Sequence, residues 1–236
     1  MLRRVEPEWL DELPADDPRA VRSRADLRRI NALMGNARIV AGEIRAGEIR
    51  ALHPGGVRTI AEIGAGDGHF AARLAMALGG AARMTLVDQQ QMCAVPIAAT
   101  CVRADVFDWL EHAGDYDVIV ANLFLHHFER ERLAMLLRLV AGRTRLFVAC
   151  EPRRSGMALA GSRLLGLIGC NDVTRHDAVA SVRAGFGDGE LSALWPKGGA
   201  WTLSEEARAP FSHCFVARRA ASVSYTHLTL PTILRV

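Results

Sequence analysis

Short apolar runs alternate with stretches of helical periodicity through the middle of the chain. The runs RTIAEIG, RMTLVD, CVRAD, YDVIVAN and RLFVACEP have few polar positions on either face. Such runs are typical of parallel strands that are buried between two layers of helices. The apolar spacing predicts helices over residues 68–79, 90–99, 105–113 and 129–141. This alternation predicts an α/β fold with a doubly wound, mostly parallel sheet and helices on both of its faces.

Two further helices are predicted ahead of the first strand. The first begins at Asp17 and Pro18, because Asp is a favoured N-cap and Pro is favoured at the first helical position. The second covers residues 37–52 and contains the repeat AGEIRAGEIR, which predicts a solvated helix face. We therefore expect an N-terminal helical cap over residues 1–52 and a main domain over residues 53–221.

The end of the chain differs in composition from the rest. A plausible terminal strand, SHCFVARRA, is followed by SVSYTHLTLPTILRV, residues 222–236. This Thr- and Leu-rich stretch interrupts an Ala- and Arg-rich chain, and it resembles translated sequencing-adaptor sequence fused to genes from metagenomic assemblies. We predict that residues 222–236 are a non-native tail, and the alternative is a genuine C-terminal strand.

Composition narrows the class of protein. The chain has 236 residues, of which 50% are hydrophobic and 23% are charged, and its net charge is +3, which indicates a globular domain. Lys197 is its single lysine, and no basic block with aromatic residues is present, so we expect no nucleic-acid partner. The five cysteines form no C-x-x-C pair, which predicts reduced core residues without a disulfide framework or a metal site.

The sequence also predicts a cytoplasmic location without integral membrane association. The N-terminus has no apolar segment of the kind that signals secretion. The most apolar window, residues 156–170, is too short to span a bilayer and is interrupted by Arg163. The oligomeric state is left open.

The first strand ends in a glycine-rich loop, EIGAGDG. Its three glycines, Gly64, Gly66 and Gly68, let the backbone turn tightly and approach a ligand at the start of the next helix. Counted from Gly66, the residues satisfy the dinucleotide pattern G-x-G-x-x-A. Counted from Glu62, they give E-x-G-x-G-x-G. The loop alone does not choose between these two cofactor classes.

Acidic residues end the next two strands of the predicted sheet. Asp88 follows the second strand, where a carboxylate can accept hydrogen bonds from ribose hydroxyls in either cofactor class. Asp105 follows the third strand. Its side chain could contact the ligand, and the alternative is that it serves as the N-cap of the helix that comes next. Ligands of doubly wound sheets bind at the carboxyl ends of the strands, so these acids are expected to face the same site.

Taken in order, these segments resemble the class I S-adenosylmethionine-dependent methyltransferases. The pattern E-x-G-x-G-x-G resembles their motif I, and YDVIVANLFLHHF, with Asp117 opening the strand and Asn122 ending it, resembles motif IV of the small-molecule enzymes. The resemblance covers residues 59–153 and implies a seven-stranded, Rossmann-like methyltransferase fold with S-adenosylmethionine as cofactor. It also implies a substrate lid in an insertion around residues 153–190. The cofactor-binding residues that it implies are Glu62, Gly64, Ala65, Gly66, Gly68, Asp88, Gln89, Asp105, Val106, Asn122 and Leu123.

Three histidines are candidates for a general base. His126 and His127 follow the fourth strand, near the expected position of the methyl group, and His176 lies beside Asp177 in the insertion. Adjacent residues point in different directions, so at most one of His126 and His127 is expected to face the site. The alternative is a structural role for each of the three, and for His176 the start of a surface helix capped by Asp172 or Thr174.

The predicted function is methylation of an oxygen or carbon atom of a small, apolar or aromatic molecule. The leucine-rich residues 156–170 favour such a substrate, and the family resemblance extends to enzymes of polyketide- or quinone-type secondary metabolism. One alternative is an NAD(P)-dependent oxidoreductase, which would lack an evident Tyr–Lys pair. Another is a methyltransferase-fold protein that binds without catalysis. Motif IV lacks the N-P-P-Y stretch of amino-group methylators, which argues against a protein or nucleic-acid substrate.

Overall fold

The computed structural model describes residues 1–49, 57–80, 82–90, 97–208 and 211–220 of the chain. The predicted domain boundary at residues 52–53, most of the helix predicted over residues 90–99 and the tail of residues 222–236 lie outside these ranges.

Seven strands form one mixed sheet in the order β3-β2-β1-β4-β5-β7-β6. The first five are mutually parallel, and β7 lies antiparallel between β5 and β6. This confirms the predicted doubly wound, mostly parallel sheet. The strands are β1 Thr59–Ile63, β2 Arg83–Asp88, β3 Ala99–Arg103, β4 Tyr116–Asn122, β5 Thr144–Pro152, β6 Trp201–Arg208 and β7 Ser212–Arg219.

Helices precede, connect and follow the parallel strands, as the periodicity predicts. Two short 3₁₀ turns, Leu125–His127 and Leu165–Ile168, lie in the connections after β4 and after β5. Within the described ranges no helix is long and apolar enough to cross a membrane. The α-helices are α1 Trp9–Glu12, α2 Pro18–Met34, α3 Asn36–Ile49, α4 His69–Leu78, α5 Val106–His112, α6 Arg130–Arg143, α7 Gly156–Arg163, α8 Asp172–Ala184 and α9 Glu190–Leu194.

Two apolar clusters cover the two faces of the sheet. One joins Val40 and Ile44 of α3 and Leu74 of α4 to Ile60 and Val148. The other packs side chains of α5, α6 and α9 on the opposite face, among them Phe107, Leu133 and Leu191. Because the strands are covered on both sides, their polar ends are the places where the site is built.

The repeat AGEIRAGEIR has a solvated side, on which Gly42 and Arg45 are exposed, and an opposite side on which Ala41 and Ile44 are buried. One local expectation is corrected by the structure. Helix α8 is capped by Asn171, whose side chain accepts from the Thr174 N–H, and not by Asp172 or Thr174.

The cysteines also depart from expectation in one respect. Cys101 is disulfide-bonded, whereas Cys150, Cys170 and Cys214 are free and buried. The chain has no C-x-x-C pair, and a bridge between more distant cysteines depends on a fold that spacing alone does not reveal.

Candidate functional site

A cavity of about 890 Å³ opens at the carboxyl ends of β1, β2 and β4. A volume of this size fits a nucleotide-like cofactor together with a small substrate. Twelve of the fourteen site residues predicted from the sequence line it, and Gly68 and His176 do not. Those that line it are Glu62, Gly64, Ala65, Gly66, Asp88, Gln89, Asp105, Val106, Asn122, Leu123, His126 and His127.

The glycine loop after β1 depends on the absence of side chains. Gly64 has φ +68°, and a Cβ there would lie 2.1 Å from Cδ2 of Phe124, closer than any real contact. Gly66 has φ +52°, and its N–H donates to Asp88 Oδ2 at 2.9 Å. Gly68 has φ +76° and is the N-cap of α4. The loop is therefore shaped by backbone conformation and by the close approach of Phe124.

Glu62 carries a buried carboxyl group that lacks a complete set of partners. The residue is 1% exposed, and its Oε2 has no hydrogen-bond partner. Burial, together with the negative charges of Asp67 and Asp88, raises the pKa of Glu62 well above its usual range. A buried polar atom of this kind is costly unless a bound group satisfies it.

Asp88 and Asp105 orient the neighbouring backbone. Asp88 accepts from Gly66 N–H through Oδ2 and from Gln90 N–H through Oδ1, at 2.9 and 2.8 Å. Asp105 caps α5 by accepting from the N–H groups of Phe107 and Asp108, both through Oδ1. The structure confirms Asp105 as the N-cap of α5. Asp105 also lines the cavity, so its carboxylate can contact a ligand there as well.

The loop after β4 is strained at the cavity. Leu123 is the one non-glycine residue with positive φ within the ranges described, at 52°. Its N–H donates to the Cys150 carbonyl at 2.8 Å, and the side chain of Asn122 accepts from Asn36 Nδ2 at 2.8 Å. Strain of this kind is costly, and proteins retain it where a backbone must present a group to a site.

Glu151, at the end of β5, accepts hydrogen bonds from the backbone of the loop after β4. Its Oε1 accepts from the N–H groups of Phe124 and Leu125 at 3.0 and 2.9 Å. Its Oε2 lies 2.8 Å from Nδ1 of His126. A carboxylate on Nδ1 fixes the imidazole so that Nε2 faces away from Glu151.

The imidazole of His126 lies between the carboxyl groups of Glu151 and Glu8. Its Nε2 lies 3.4 Å from Oε1 of Glu8, and its side chain is 4% exposed. Burial alone would lower the pKa of His126, but the hydrogen bonds and charges of Glu151 and Glu8 outweigh it and raise the pKa to about 9. Burial opposes ionisation of Glu8 as well, yet its bond to His126 lowers the pKa of Glu8 to about 2. His126 and Glu8 therefore form an ion pair at neutral pH.

His127 behaves in the opposite way. Burial and the charge of His126 lower the pKa of His127 to about 4, so its ring is neutral at neutral pH. Its Nδ1 lies 3.8 Å from Oδ2 of Asp11. Burial and the charges of Glu8 and Asp177 raise the pKa of Asp11 to about 6. The corner of the cavity near the N-terminal segment thus combines one charged and one neutral histidine.

His176 does not line the cavity, and its contacts fit the structural alternative. Its ring stacks on Trp9 with centroids 3.9 Å apart, and its Nδ1 lies 3.0 Å from Oδ1 of Asp177. Asp177 in turn accepts from the N–H groups of Trp9 and Leu10 at 2.8 and 3.0 Å. The pair fastens the start of α1 to α8, and His176 does not reach the cavity.

Three ligand atoms meet the spacing of a metal site. Glu8, His126 and His127 each offer one atom, and these atoms lie within 4.8 Å of one another. The ion pair between Glu8 and His126 is sufficient to explain why two of these three atoms lie close together.

Apolar side chains form the outer part of the cavity. They come from α2, α7 and the turn Leu165–Ile168, together with Phe211. The apolar set includes Leu27, Ile30, Leu33, Met34, Ala158, Leu165 and Ile168, and two arginines of α2, Arg24 and Arg28, also line the cavity. Arg28 is paired with Asp67 of the glycine loop at 3.0 Å, so the outer wall and the cofactor end of the cavity are joined.

Sequence reasoning missed the contribution of the N-terminal segment. Glu8 and Asp11 lie far from motifs I and IV along the chain, and no local pattern marks them. Glu151 ends a predicted strand, and the sequence alone assigns it no role. Its position follows from register, because Asn122 pairs with Cys150 and the next residue of β5 therefore meets the loop after β4.

Solved structures share this architecture. The plantazolicin methyltransferase BpumL, crystallised in complex with SAH, is 14% identical, with a TM-score of 0.64 over 87% of this chain and 92% of that chain. The mitomycin 7-O-methyltransferase MmcR is 21% identical, with a TM-score of 0.57 over 89% of this chain and 60% of that chain. An O-methyltransferase family protein from Burkholderia thailandensis is 13% identical, with a TM-score of 0.54 over 88% of this chain and 62% of that chain.

No family model matches the sequence, and no curated protein matches it either. At these identities the structural matches establish the fold. The chain has the fold of the class I S-adenosylmethionine-dependent methyltransferases, as the resemblance of motifs I and IV implied.

Proposed function

We propose that the protein is an S-adenosylmethionine-dependent methyltransferase that acts on a small molecule. The observation that carries this proposal is the unpartnered Oε2 of Glu62 at the inner end of the cavity. The carboxyl groups of Asp67 and Asp88 are close enough to raise the pKa of Glu62, so a positive charge placed against Oε2 would favour the ionised form of Glu62. The ammonium group of S-adenosylmethionine supplies one.

The residues of the cavity suit each polar part of this cofactor. Glu62 is available to the ammonium group, Asp88 to the ribose hydroxyls and Asp105 to the adenine amino group. All three are acceptors, and all three cofactor groups are donors. When bound, the cofactor would supply a methyl group activated by a cationic sulfur. The structurally similar BpumL was crystallised with SAH, the product form of that cofactor.

The same charges argue against the nicotinamide alternative. A pyrophosphate at the glycine loop would approach the carboxyl groups of Asp67 and Asp88, and like charges in a partly buried site repel. The Tyr–Lys pair of many dehydrogenases has no counterpart among the residues that line the cavity. The single lysine, Lys197, lies between α9 and β6 and is not part of the lining.

His126 is our candidate for the general base. Glu151 holds Nδ1, so Nε2 is the atom that can accept a proton from a substrate hydroxyl. Glu8 lies against that atom, and a hydroxyl that displaces Glu8 would lower the pKa of His126 towards neutrality by removing a negative charge. His127 is neutral already, but a base with a pKa of about 4 accepts protons poorly. We do not assign His176 a role in the reaction, because it lies outside the cavity.

The substrate is proposed to be apolar or aromatic, and methylated on oxygen or carbon. The leucine, isoleucine and methionine side chains of α2, α7 and the turn Leu165–Ile168 support this class. We retain residues 153–190 as a lid and residues 1–52 as a cap, because both supply cavity walls. An open cavity favours catalysis over a protein that binds without reacting. A role in polyketide- or quinone-type secondary metabolism and a cytoplasmic location are part of the same proposal.

A substrate screen tests the activity directly. The protein is incubated with S-adenosylmethionine and a panel of phenols, quinols and polyketide-like acids, and methylated products are detected by mass spectrometry. His126→Asn is the test variant and His112→Asn, on the exposed end of α5, is the control. We expect product from at least one phenol or quinol and a loss of about 10²–10⁴-fold in His126→Asn alone. Equal rates in the two variants would contradict the role of His126.

A further inference from the structure

Five large apolar side chains are exposed on α2, on α7 and in the segment that follows α7, and two of the five also line the cavity. Leu167 is 83% exposed and Leu33 is 74% exposed. The set, which we call the apolar rim, consists of Leu33, Met157, Leu164, Leu167 and Ile168. Single exposed apolar residues need no explanation, but a group of them on one surface marks an interaction site.

The members of the apolar rim belong to adjoining elements. Met157 and Leu164 are seven residues apart across α7 and its end, which places them on the same side of that helix. Leu167 and Ile168 follow in the 3₁₀ turn. Leu33 lies one turn along α2 from Arg29, whose Nη2 donates to the Ile168 carbonyl at 3.3 Å. The rim is thus one surface made by α2, α7 and the turn.

Arginines surround the apolar rim. Arg22 donates to the Gly169 carbonyl at 3.2 Å, and Arg163 directly precedes Leu164. Arg175 lies beside the turn, since a Cβ on Gly166 would be 3.1 Å from its Nε. With Arg29, three guanidinium groups have contacts at the turn, and a fourth arginine, Arg163, is exposed and adjacent to Leu164 in sequence.

Acidic groups near the rim are few. Residues 153–171 contain no Asp or Glu. Asp26 is buried, where it pairs with Arg29 at 3.3 Å and accepts from the Asn171 N–H. Asp172 is exposed at the start of α8. The surface therefore presents apolar tips within a net positive border.

We infer that the apolar rim docks on an anionic lipid surface. Exposed leucines enter the boundary between headgroups and acyl chains, and arginines near them are attracted to anionic headgroups. A second copy of this chain fits less well, because a two-fold interface would bring the same arginines against one another.

The rim is continuous with the interior of the protein. Leu33 and Ile168 belong both to the rim and to the cavity lining, and Leu165 of the same turn also lines the cavity. An apolar molecule dissolved in a bilayer could enter the cavity without crossing water. The lipid surface would then be the source from which the protein takes its small-molecule ligand.

Vesicle co-sedimentation tests this inference with the full chain. The probes are phosphatidylcholine vesicles and phosphatidylcholine vesicles that contain phosphatidylglycerol, at low and at high salt. No methyl donor is present, so the result is independent of the proposed activity. We expect binding to the anionic vesicles that weakens as salt is raised. If the chain binds neither kind of vesicle, the inference is wrong.

Two variants and two matched controls locate the binding surface. Leu164→Ser/Leu167→Ser/Ile168→Ser should reduce the partition coefficient by about tenfold or more. Arg22→Gln/Arg175→Gln should reduce it by roughly fivefold for each arginine. The controls are Met76→Ser, which replaces a methionine that is 74% exposed on α4, and Arg138→Gln on α6. Both should bind as the unaltered chain does.

Two results would contradict this placement. Unchanged sedimentation of the Leu164→Ser/Leu167→Ser/Ile168→Ser variant, with its circular dichroism spectrum preserved, would show that another surface binds lipid. A dimer in solution that the triple variant converts to monomer, without vesicle binding, would make the rim an interface between copies of the chain.

Discussion

Glu62 is the residue on which the proposed cofactor contact depends most. Its carboxyl group lies at the end of β1, where burial and two neighbouring acids favour the protonated form. A cation placed against Oε2 reverses that balance, because an opposite charge favours ionisation. Binding of a ligand with an ammonium group should therefore release a proton from Glu62 to the buffer.

Calorimetry in buffers of different ionisation enthalpy measures this proton. At a pH below the raised pKa of Glu62, the apparent enthalpy of S-adenosylhomocysteine binding should vary with the buffer in the sense of proton release, since that pKa falls on binding. Glu62→Gln cannot ionise and should remove most of this dependence. If the unaltered chain shows no dependence on buffer at any pH at which it is folded, the assignment of Glu62 to the ammonium group is wrong.

Asp88 is proposed to hold the ribose hydroxyls of the cofactor. Asp88→Ala should weaken S-adenosylhomocysteine binding by about 1–3 kcal/mol, the usual cost of leaving hydrogen-bond partners unmet. Asp115→Ala, which alters an exposed acid in the connection before β4, is the matched control. Titration calorimetry measures both, and unchanged affinity in Asp88→Ala would refute the ribose contact.

The ion pair between His126 and Glu8 predicts a pH profile. The base must be neutral to accept a proton, and the pKa of His126 in the free protein is raised to about 9. The value of kcat/KM, which reports groups of the free enzyme, should therefore rise with pH until about 9. Glu8→Gln removes one negative charge, lowers the pKa of His126 and moves the rise to lower pH.

Glu6→Gln is the control for this shift. Glu6 lies on the same N-terminal segment but approaches Arg183 at 3.7 Å instead of a histidine. Its profile should match that of the unaltered chain. If the pH profile of Glu8→Gln coincides with those of the unaltered chain and of Glu6→Gln, Glu8 does not set the pKa of His126.

At the scale of elements, the connections after β1 and β4 fit together through one contact. Phe124 occupies the space that a Cβ on Gly64 would need. Gly64→Ala should cost the strain of a positive φ, about 1–2 kcal/mol, plus about 1–3 kcal/mol for overpacking against the ring. Gly66→Ala should cost the strain alone, since nothing lies within 4 Å of the position that a Cβ on Gly66 would take.

Denaturant unfolding of these variants separates the two costs. In a Phe124→Ala background the ring is gone, so Gly64→Ala should cost about as much as Gly66→Ala. Equal destabilisation by the two substitutions in the unaltered chain would show that the loop yields and that the close approach of Phe124 is not required.

Elements with a strong pattern were predictable from the sequence. Strands β1, β2, β4 and β5 are apolar on both faces, and a pattern of that kind leaves few alternatives to a covered parallel sheet. Strand β6, Trp201–Arg208, was missed because it lies at the sheet edge, where its side chains are half-buried or exposed and alternation is weak.

The site was predictable to the extent that topology determines it. Acids at the ends of adjacent parallel strands must meet at one edge, so Glu62, Asp88 and Asp105 follow from the motif order. Glu8 could not be predicted, because its contact with His126 spans more than a hundred residues and depends on how the N-terminal segment packs against α8. The sequence left two alternatives for His176 for the same reason, because a position next to Asp177 in the sequence does not show which space its side chain faces.

At the scale of the whole molecule, one cavity connects three regions of different chemistry. Its inner end is acidic, its middle carries the histidine pair, and its outer part is apolar and bordered by arginines. This gradient fits a polar, cationic cofactor held inside and an apolar substrate that enters from outside. The fold places all three regions along the carboxyl edge of a single sheet.

The most direct test of this account is calorimetric titration with S-adenosylhomocysteine, with NADH and NADPH as parallel ligands. We expect saturable binding of S-adenosylhomocysteine and no binding of either nicotinamide nucleotide, because the acids at the glycine loop attract an ammonium group and repel a pyrophosphate. Binding of NADH or NADPH alone would contradict the account and would make Gly66 the start of a dinucleotide-binding motif.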